Sequence, residues 1–447
     1  WGSTNSYDVM GLALDMDKRT ITYYKNGRNM GTTENGLTPV VDWGSWIDAD
    51  SNSVGTGFLF VAGNGQSGAT SDFEFNFGQK PWKFAPPKGF QSTNLANLNR
   101  PSIVRPDKYF KAVTYTGNDS DDRDITGVGF QPDFLWIKNR EGADWHMLQD
   151  AVRGANKVMY SNETSAESTD NTNGHVNSFL RDGFNITAGD SGNVNENNED
   201  YVAWCWKAGD STVTNNDGSV ASQVRANTSA GFSIVTFSGS GNRTIGHGLG
   251  VAPKVIIMKG RNVSDQWTVG HQELDASNPW HKGIPLNTTA STQDNATFWN
   301  DTAPTSTVFS KGTWNDGYNM VAYCFSEVAG YSKFGQYTGD DEDPNGPFVY
   351  LGFRPALVII KSSSNAEAWG MYDSARDTYN VMDKRIKCNA DTEEQSGDAD
   401  RKIDFLSNGF RIKGDDGELN TNNYEYIYMA WAESPINNLY GGQSNAR

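Results

Sequence analysis

The chain has 447 residues, 54 acidic against 37 basic side chains, a formal net charge of −17 and 36% hydrophobic residues. That charge repels phosphate backbones and argues against a nucleic-acid partner, and the most apolar runs, GFLFVAG and VIIMK, have strand length and fall far short of a bilayer span. The length suffices for several domains with cores of their own, and 47 glycines suit short strands joined by many turns.

The first pattern in chain order is GLALDMDKRTITYYKNG, residues 11–27. Leu12 and Leu14 alternate with small residues, and Ile21 and Tyr23 with Thr and Tyr, which is the period-two signature of half-buried strands. Asp15 to Arg19 makes the turn between them, and Asn26-Gly27, a pair that readily takes positive φ, predicts a second reversal. The GSTNSYD after Trp1 has neither the basic start nor the apolar core of a signal peptide. A chain already inside a sheet at this point is expected to be a portion of something longer. Proline-punctuated sequence over 80–106 closes this first unit, taken as 1–92 with a linker at 93–108.

One pattern then occurs three times: GFQPDFLWIKNREGADWHML from Gly129, GVAPKVIIMKGRNVSDQWTV from Gly250 and GFRPALVIIKSSSNAEAWGM from Gly352. Pro132, Pro253 and Pro355 align, as do Lys138, Lys259 and Lys361, and a tryptophan follows at Trp145, Trp267 and Trp369. The repeat spacing is that of whole small domains. Proline is tolerated at a strand's first residue, and the four or five apolar residues after each one suit a strand buried on both faces. The copies close on YVAWCWKAG, MVAYCFSEVAG and YIYMAWAESP, which superpose Ala203, Ala322 and Ala430 and set Cys205 and Cys324 opposite Ala432. That position reads as small, buried and apolar. Cys388 completes a set of three cysteines without the C-x-x-C spacing of a zinc site. TYNVMDK from Thr378 is read as one or two helical turns. The predicted fold class is all-β: tandem β-sandwiches of jelly-roll or concanavalin-like type at 109–209, 231–330 and 331–435, with polar 210–230 as a linker or a strand hairpin on the domain surface and a tail at 436–447.

The opening hairpin together with FNFGQKPW, residues 75–82, resembles the C-terminal half of a SPRY domain, a concanavalin-like sandwich used for binding. The phrases VGFQPDFLWIKNR, AVRG, YVAWCWKAG and GHGLGVAPKVIIMK resemble repeat domains of structural proteins from tailed phages of marine and freshwater bacteria, commonly tail-fibre-like chains. The third copy departs from that pattern, with FVYLG in place of HGLG. The resemblance implies a virion protein, extracellular on a tail or surface appendage, and supplies no catalytic residues.

The residues themselves offer little chemistry. None of His146, His175, His247, His271 and His281 lies in H-E-x-x-H or beside G-x-S-x-G, so no enzyme is expected. A polysaccharide depolymerase, the alternative, needs two facing carboxylates. Asp341, Asp343, Asn345 and Gly346 match the start of a calcium loop, but its position twelve falls on Gly352, so an ordinary acidic turn is favoured and no other cofactor is implied. Sugar rings stack on flat aromatic faces. Trp145, Trp267 and Trp369 recur at one position and are assigned to the core, whereas Trp43, Trp46, Trp280, His281 and Trp299 occur in one domain only and are the ligand-binding candidates, with packing or an interface as the plainer reading of each. The functional reading is a tail fibre or related appendage binding a glycan or protein receptor on the host. Its expected partners are other virion proteins and itself, as a homotrimer, with a capsid-decorating or tail-assembly role as the non-receptor alternative.

Overall fold

The computed structural model describes residues 9–15, 20–32, 74–77, 80–92, 101–169 and 172–436. The chain divides into two units, Trp1–Arg100 and Pro101–Arg447. In the first, β1 (Met10–Asp15), β2 (Thr20–Lys25) and β3 (Arg28–Thr32) form an antiparallel meander in which Leu12 pairs with Tyr23 and Leu14 with Ile21. Asn26 and Gly27 reverse the chain at φ 50° and 79°, as their sequence predicts. The buried face differs from expectation. Leu12 is 50% exposed while Ala13 and Thr22 are buried; in a pleated strand only one of the two faces can turn inward.

The second unit is built of three repeats with one topology. Repeat 1 comprises β4 (Phe110–Thr116), β5 (Arg123–Thr126), β6 (Phe134–Asn139), β7 (Met147–Asp150), β8 (Gly154–Tyr160), β9 (His175–Leu180), β10 (Gly183–Thr187) and β11 (Asp200–Trp206). Repeat 2 is preceded by β12 (Val213–Asn215) and β13 (Ser222–Asn227). It then runs through β14 (Phe232–Ser238), β15 (Arg243–Gly246), β16 (Val255–Gly260), β17 (Thr268–His271), β18 (Lys282–Pro285), β19 (Gln293–Asp294), β20 (Val308–Lys311) and β21 (Asn319–Phe325). Repeat 3 comprises β22 (Ser332–Thr338), β23 (Phe348–Tyr350), β24 (Phe353–Ser362), β25 (Gly370–Asp373), β26 (Ile386–Lys387), β27 (Ile403–Leu406), β28 (Gly409–Ile412) and β29 (Glu425–Pro435). The large sheets run β4-β11-β6-β7-β8, β14-β21-β16-β17-β18 and β22-β29-β24-β25-β26, each beside a small sheet: β5-β10-β9, β15-β20 or β23-β28-β27. Each repeat is an all-β sandwich, as expected. Of the two readings of 210–230, the hairpin is the one formed: β12 and β13 pair antiparallel and add to the edge of the second large sheet.

Alternation explains why the central strands are apolar throughout. In β11, Tyr201, Ala203 and Cys205 face the small sheet of repeat 1, whereas Val202, Trp204 and Trp206 join a core shared with repeats 2 and 3. In β21, Met320, Ala322 and Cys324 face inward within repeat 2, and Val321, Tyr323 and Phe325 enter the shared core. The second buried face of each large sheet is therefore covered by the other repeats. The segments expected as tandem domains are lobes of one body.

Contacts between the lobes run in a cycle. Glu167 N donates to Arg261 O at 2.7 Å, Thr292 N to Ser363 O at 3.0 Å and Glu394 N to Arg140 O at 2.7 Å. These are equivalent atoms linking repeat 1 to 2, 2 to 3 and 3 to 1. Three like interfaces, each head-to-tail, close the ring. Two of them carry buried ion pairs: Arg153 with Asp150 and Glu167, and Arg376 with Asp373 and Glu394. In the third, between repeats 2 and 3, the corresponding positions are His271, Leu274 and Thr292.

Strand register corrects two sequence alignments. Phe134 pairs with Asp150, Val255 with His271 and Leu357 with Asp373, so Trp267 and Trp369 correspond to His146, and Trp145 corresponds to Gln266 and Ala368. Trp267 donates to Tyr160 O and Trp369 to Pro285 O, both at 2.8 Å across lobe interfaces. At the interface of repeats 3 and 1 the His146 ring is turned toward the Lys387 and Ala390 backbone, and Trp136 Nε1 donates to its Nδ1 at 2.8 Å. Trp145, assigned to the core by its sequence, is 38% exposed. Likewise Leu135 pairs with Cys205, Ile256 with Cys324 and Val358 with Ala430, which makes Ala430, not Ala432, the counterpart of the cysteines. Tyr428 then stands where the other repeats have Ala203 and Ala322. It fits because its cross-strand partner is Gly335 in place of Val113 and Val235.

Candidate functional site

The aromatic candidates of repeat 2 are buried. Trp280 and Trp299 meet edge to face with ring centroids 5.5 Å apart, and Trp299 Nε1 donates to Lys282 O at 3.0 Å. A Cβ at Gly270 would come within 2.8 Å of both rings, so this glycine is what lets them seat on β17. They occur once for an architectural reason. The small sheet of repeat 2 has two strands where the others have three, and Trp280, Phe298 and Trp299 complete that sandwich core. His281 remains partly exposed, its Nδ1 2.6 Å from Asp301 Oδ1, beside Lys282 paired with Asp294. Trp43 and Trp46 lie outside the described residues. Asp341, Asp343 and Asn345 are exposed on their turn, and among the described residues no group of His, Cys, Asp and Glu could hold a metal ion.

Groups with strongly shifted proton affinity belong to the architecture. Burial pulls Lys138 and Lys259 down to about 8 and Lys361 to about 7, partly offset by Asp144, Asp265 and Glu367 respectively. Each ammonium donates to carbonyls of the loop after its strand: Lys138 to Gly142 O, Lys259 to Val263 O and Lys361 to Asn365 O. The same lysine, acid and loop carbonyl recur in all three lobes, which marks a device for fixing that loop. All three thiols are buried, and burial raises each of them well above the usual thiol range. They are poor nucleophiles.

The exposed aromatics among the described residues include Phe75, Phe77, Trp82, Tyr318 and Tyr350 besides Trp145 and Tyr379, and the last two stand on loops tied down by hydrogen bonds of asparagine side chains. Trp145 follows β6 on a loop held by Trp145 N donating to Asn193 Oδ1 at 3.1 Å, and its ring lies 4.9 Å from that of Tyr160. Tyr379 is 71% exposed and Val381 44%, on a loop that takes the place expected for helical turns. Asn380 between them donates to Phe405 O at 2.9 Å and accepts from Phe405 N at 2.8 Å, pinning the loop to β27. A helix is not formed because Asn380 and Met382 spend their hydrogen bonds on that strand. Counting residues from Lys138 instead of matching tryptophans would have shown Trp145 to be unique to its lobe. Tyr379 lies in 374–385, a stretch that repeat 1 shortens to 151–153.

The whole ring, 105–435, matches the family described as "Domain of unknown function (DUF7483)". The chain belongs to that family. The DUF7483 match takes in all three lobes together, in keeping with a core that no single lobe could bury alone. No curated protein and no solved structure matches the chain.

Proposed function

We propose that this chain is a structural protein of a phage virion, a tail fibre or related appendage, which attaches to the host surface through exposed aromatic loops and performs no catalysis. The observation that carries the reading is the pair Trp145 and Tyr379, large aromatics held open to solvent on loops anchored to a rigid body. Such loops on a scaffold are where binding residues concentrate, and flat aromatic faces suit sugar rings. The resemblance to phage repeat domains supports the virion setting, and the SPRY-like N-terminal unit adds a second binding-type module.

The test is a glycan array probed with the full chain and with Trp145→Ala and Tyr379→Ala. Both substitutions are expected to leave the thermal midpoint within a degree or two, since neither aromatic is core, and to weaken binding about tenfold or more, the scale of a lost stacking contact. Variants that bind as the parent does would overturn the site. Antibody-gold labelling of phage particles whose genome encodes the chain would decide the setting, and unlabelled virions would refute it.

A further inference from the structure

The three lobes present the same sheet edge, formed by β4, β14 and β22, and treat it in three ways. In repeat 2 it is covered: β13 pairs with β14 from Gln223↔Thr236 to Asn227↔Phe232. In repeat 3 it is capped at Phe334, whose N–H donates to Glu327 Oε1 at 2.8 Å and whose carbonyl accepts from Gln272 Nε2 at 2.7 Å. In repeat 1 the counterpart of Phe334 is Ala112, because Phe334 pairs with Met429 and Ala112 with Trp204 at equivalent places. Among the described residues no strand but β11 pairs with β4 and no side chain hydrogen-bonds to the outward peptide groups, although Ala112 is partly buried against the shared core. The position of Glu327 is taken by Arg105, bound to Asp107, and that of Gln272 by Ser374, which is too short to reach across.

The outward groups of β4 can be assigned. Gly117 N donates to Glu199 O and Lys207 N to Tyr109 O, bracketing the β4 to β11 ladder, so odd-numbered residues turn their peptide groups toward β11. Ala112 and Thr114 turn theirs outward. The strand carries none of the devices that guard an edge. It contains no proline, its register is continuous over Phe110–Thr116, and its single charge, Lys111, is folded back to donate to Gly127 O at 2.6 Å.

We propose that β4 pairs antiparallel with β4 of a second copy of this chain, about a two-fold axis through Val113. The strand is complementary to itself in that register. Ala112 and Thr114 of each copy exchange hydrogen bonds, Val113 meets Val113 of the other copy, and Lys111 faces Tyr115, so no like charges oppose. A two-fold contact of this kind closes on itself and ends at a dimer. It also gives repeat 1 the antiparallel neighbour that β13 gives repeat 2.

The full chain is expected to sediment at twice its 49.1 kDa mass at micromolar concentration. Val113→Cys is expected to form a disulfide-linked dimer under mild oxidation, since residues facing each other at a non-hydrogen-bonded pair bring their Cβ atoms close. Lys111→Cys, opposite Tyr115, is expected not to cross-link; the native cysteines are buried and take no part. Thr114→Pro removes an N–H that no internal bond uses, at an exposed residue, and is expected to give a folded monomer by circular dichroism and sedimentation. A monomeric parent overturns the proposal, and so does equal cross-linking at 111 and 113. So too does slow amide exchange at Ala112 and Thr114 in a monomer, which would mean the edge is covered from within the same chain.

Discussion

Arg376→Met is expected to lower the unfolding free energy by about 3–5 kcal/mol, measured by urea denaturation of the full chain. The side chain is fully buried at the seam of repeats 3 and 1. Its Nε pairs with Asp373 at 2.5 Å, Nη1 with Glu394 at 3.0 Å and Nη2 donates to Met371 O at 3.0 Å, while the guanidinium lies 5.6 Å from the Trp204 ring. Glu394 would keep Arg140 as a partner at 2.8 Å. Asp373 would keep only neutral donors, Trp204 Nε1 and the amides of Ala375 and Arg376, and a buried carboxylate without a cation is what makes a broken pair costly. The protein contains its own control, because the seam between repeats 2 and 3 closes with His271 and Leu274 at the same two positions. The double substitution Asp373→His with Arg376→Leu is therefore expected to recover most of the loss, to within about 1–2 kcal/mol of the parent, as a neutral replacement of a whole buried pair does. A single substitution costing under about 1 kcal/mol, or a double one no better than the single, would show that the seam is hydrated or that the pair contributes nothing.

The comparison of seams also shows what could be read in the sequence. The period of the strands, the Asn26-Gly27 turn and the triplicate Lys positions were legible because they depend on local geometry. Pro132 and Pro253 do precede their strands, whereas Pro355 lies inside β24 at a shift of register, since the strand starts earlier, at Phe353. The runs Phe134–Ile137 and Val255–Met258 correctly announced burial on both faces. What covers the second face is set by residues more than a hundred positions away, and nothing local in PDFLWIK distinguishes a neighbouring lobe from a neighbouring sheet. Letter matching misled at Trp145, because the equivalent indole position had become His146 while a tryptophan happened to stand beside it. Of the two readings open to single-copy aromatics, packing or a binding face, Trp280 and Trp299 take the first. A lobe that lacks a strand needs its own filler, and the missing strand is invisible until the sheets are counted. In the correct register Trp145 is a single-copy aromatic too, and an exposed one.

Stability is expected to rise with pH between about 7 and 9, where most proteins are flat or declining. The cause is the trio Lys138, Lys259 and Lys361, held in the fold near 8, 8 and 7 by burial, against about 10.4 for an unfolded lysine. Their folded affinity for protons is the lower one, so below about pH 6 both states are protonated and the desolvation penalty of three buried ammonium groups is present in full. As pH climbs, the folded chain releases these protons while the unfolded chain still holds them, and unfolding is disfavoured by about 1.4 kcal/mol per pH unit for each proton of difference. Over two pH units the gain is on the order of a few kcal/mol. The rise should end above about pH 9–10, where the buried cysteines and tyrosines, among them Cys324 and Tyr331, retain protons that the unfolded chain gives up. Lys361→Met should flatten the rise and lower the plateau, since Ser362 O and Asn365 O lose their donor and an unsatisfied buried carbonyl costs about 1–3 kcal/mol. Urea unfolding at pH 7, 8 and 9 reads both effects. A free energy that is level or falls across that range would mean the three ammonium groups stay charged in the folded chain, stabilised by their carbonyl cradles as well as water stabilises them.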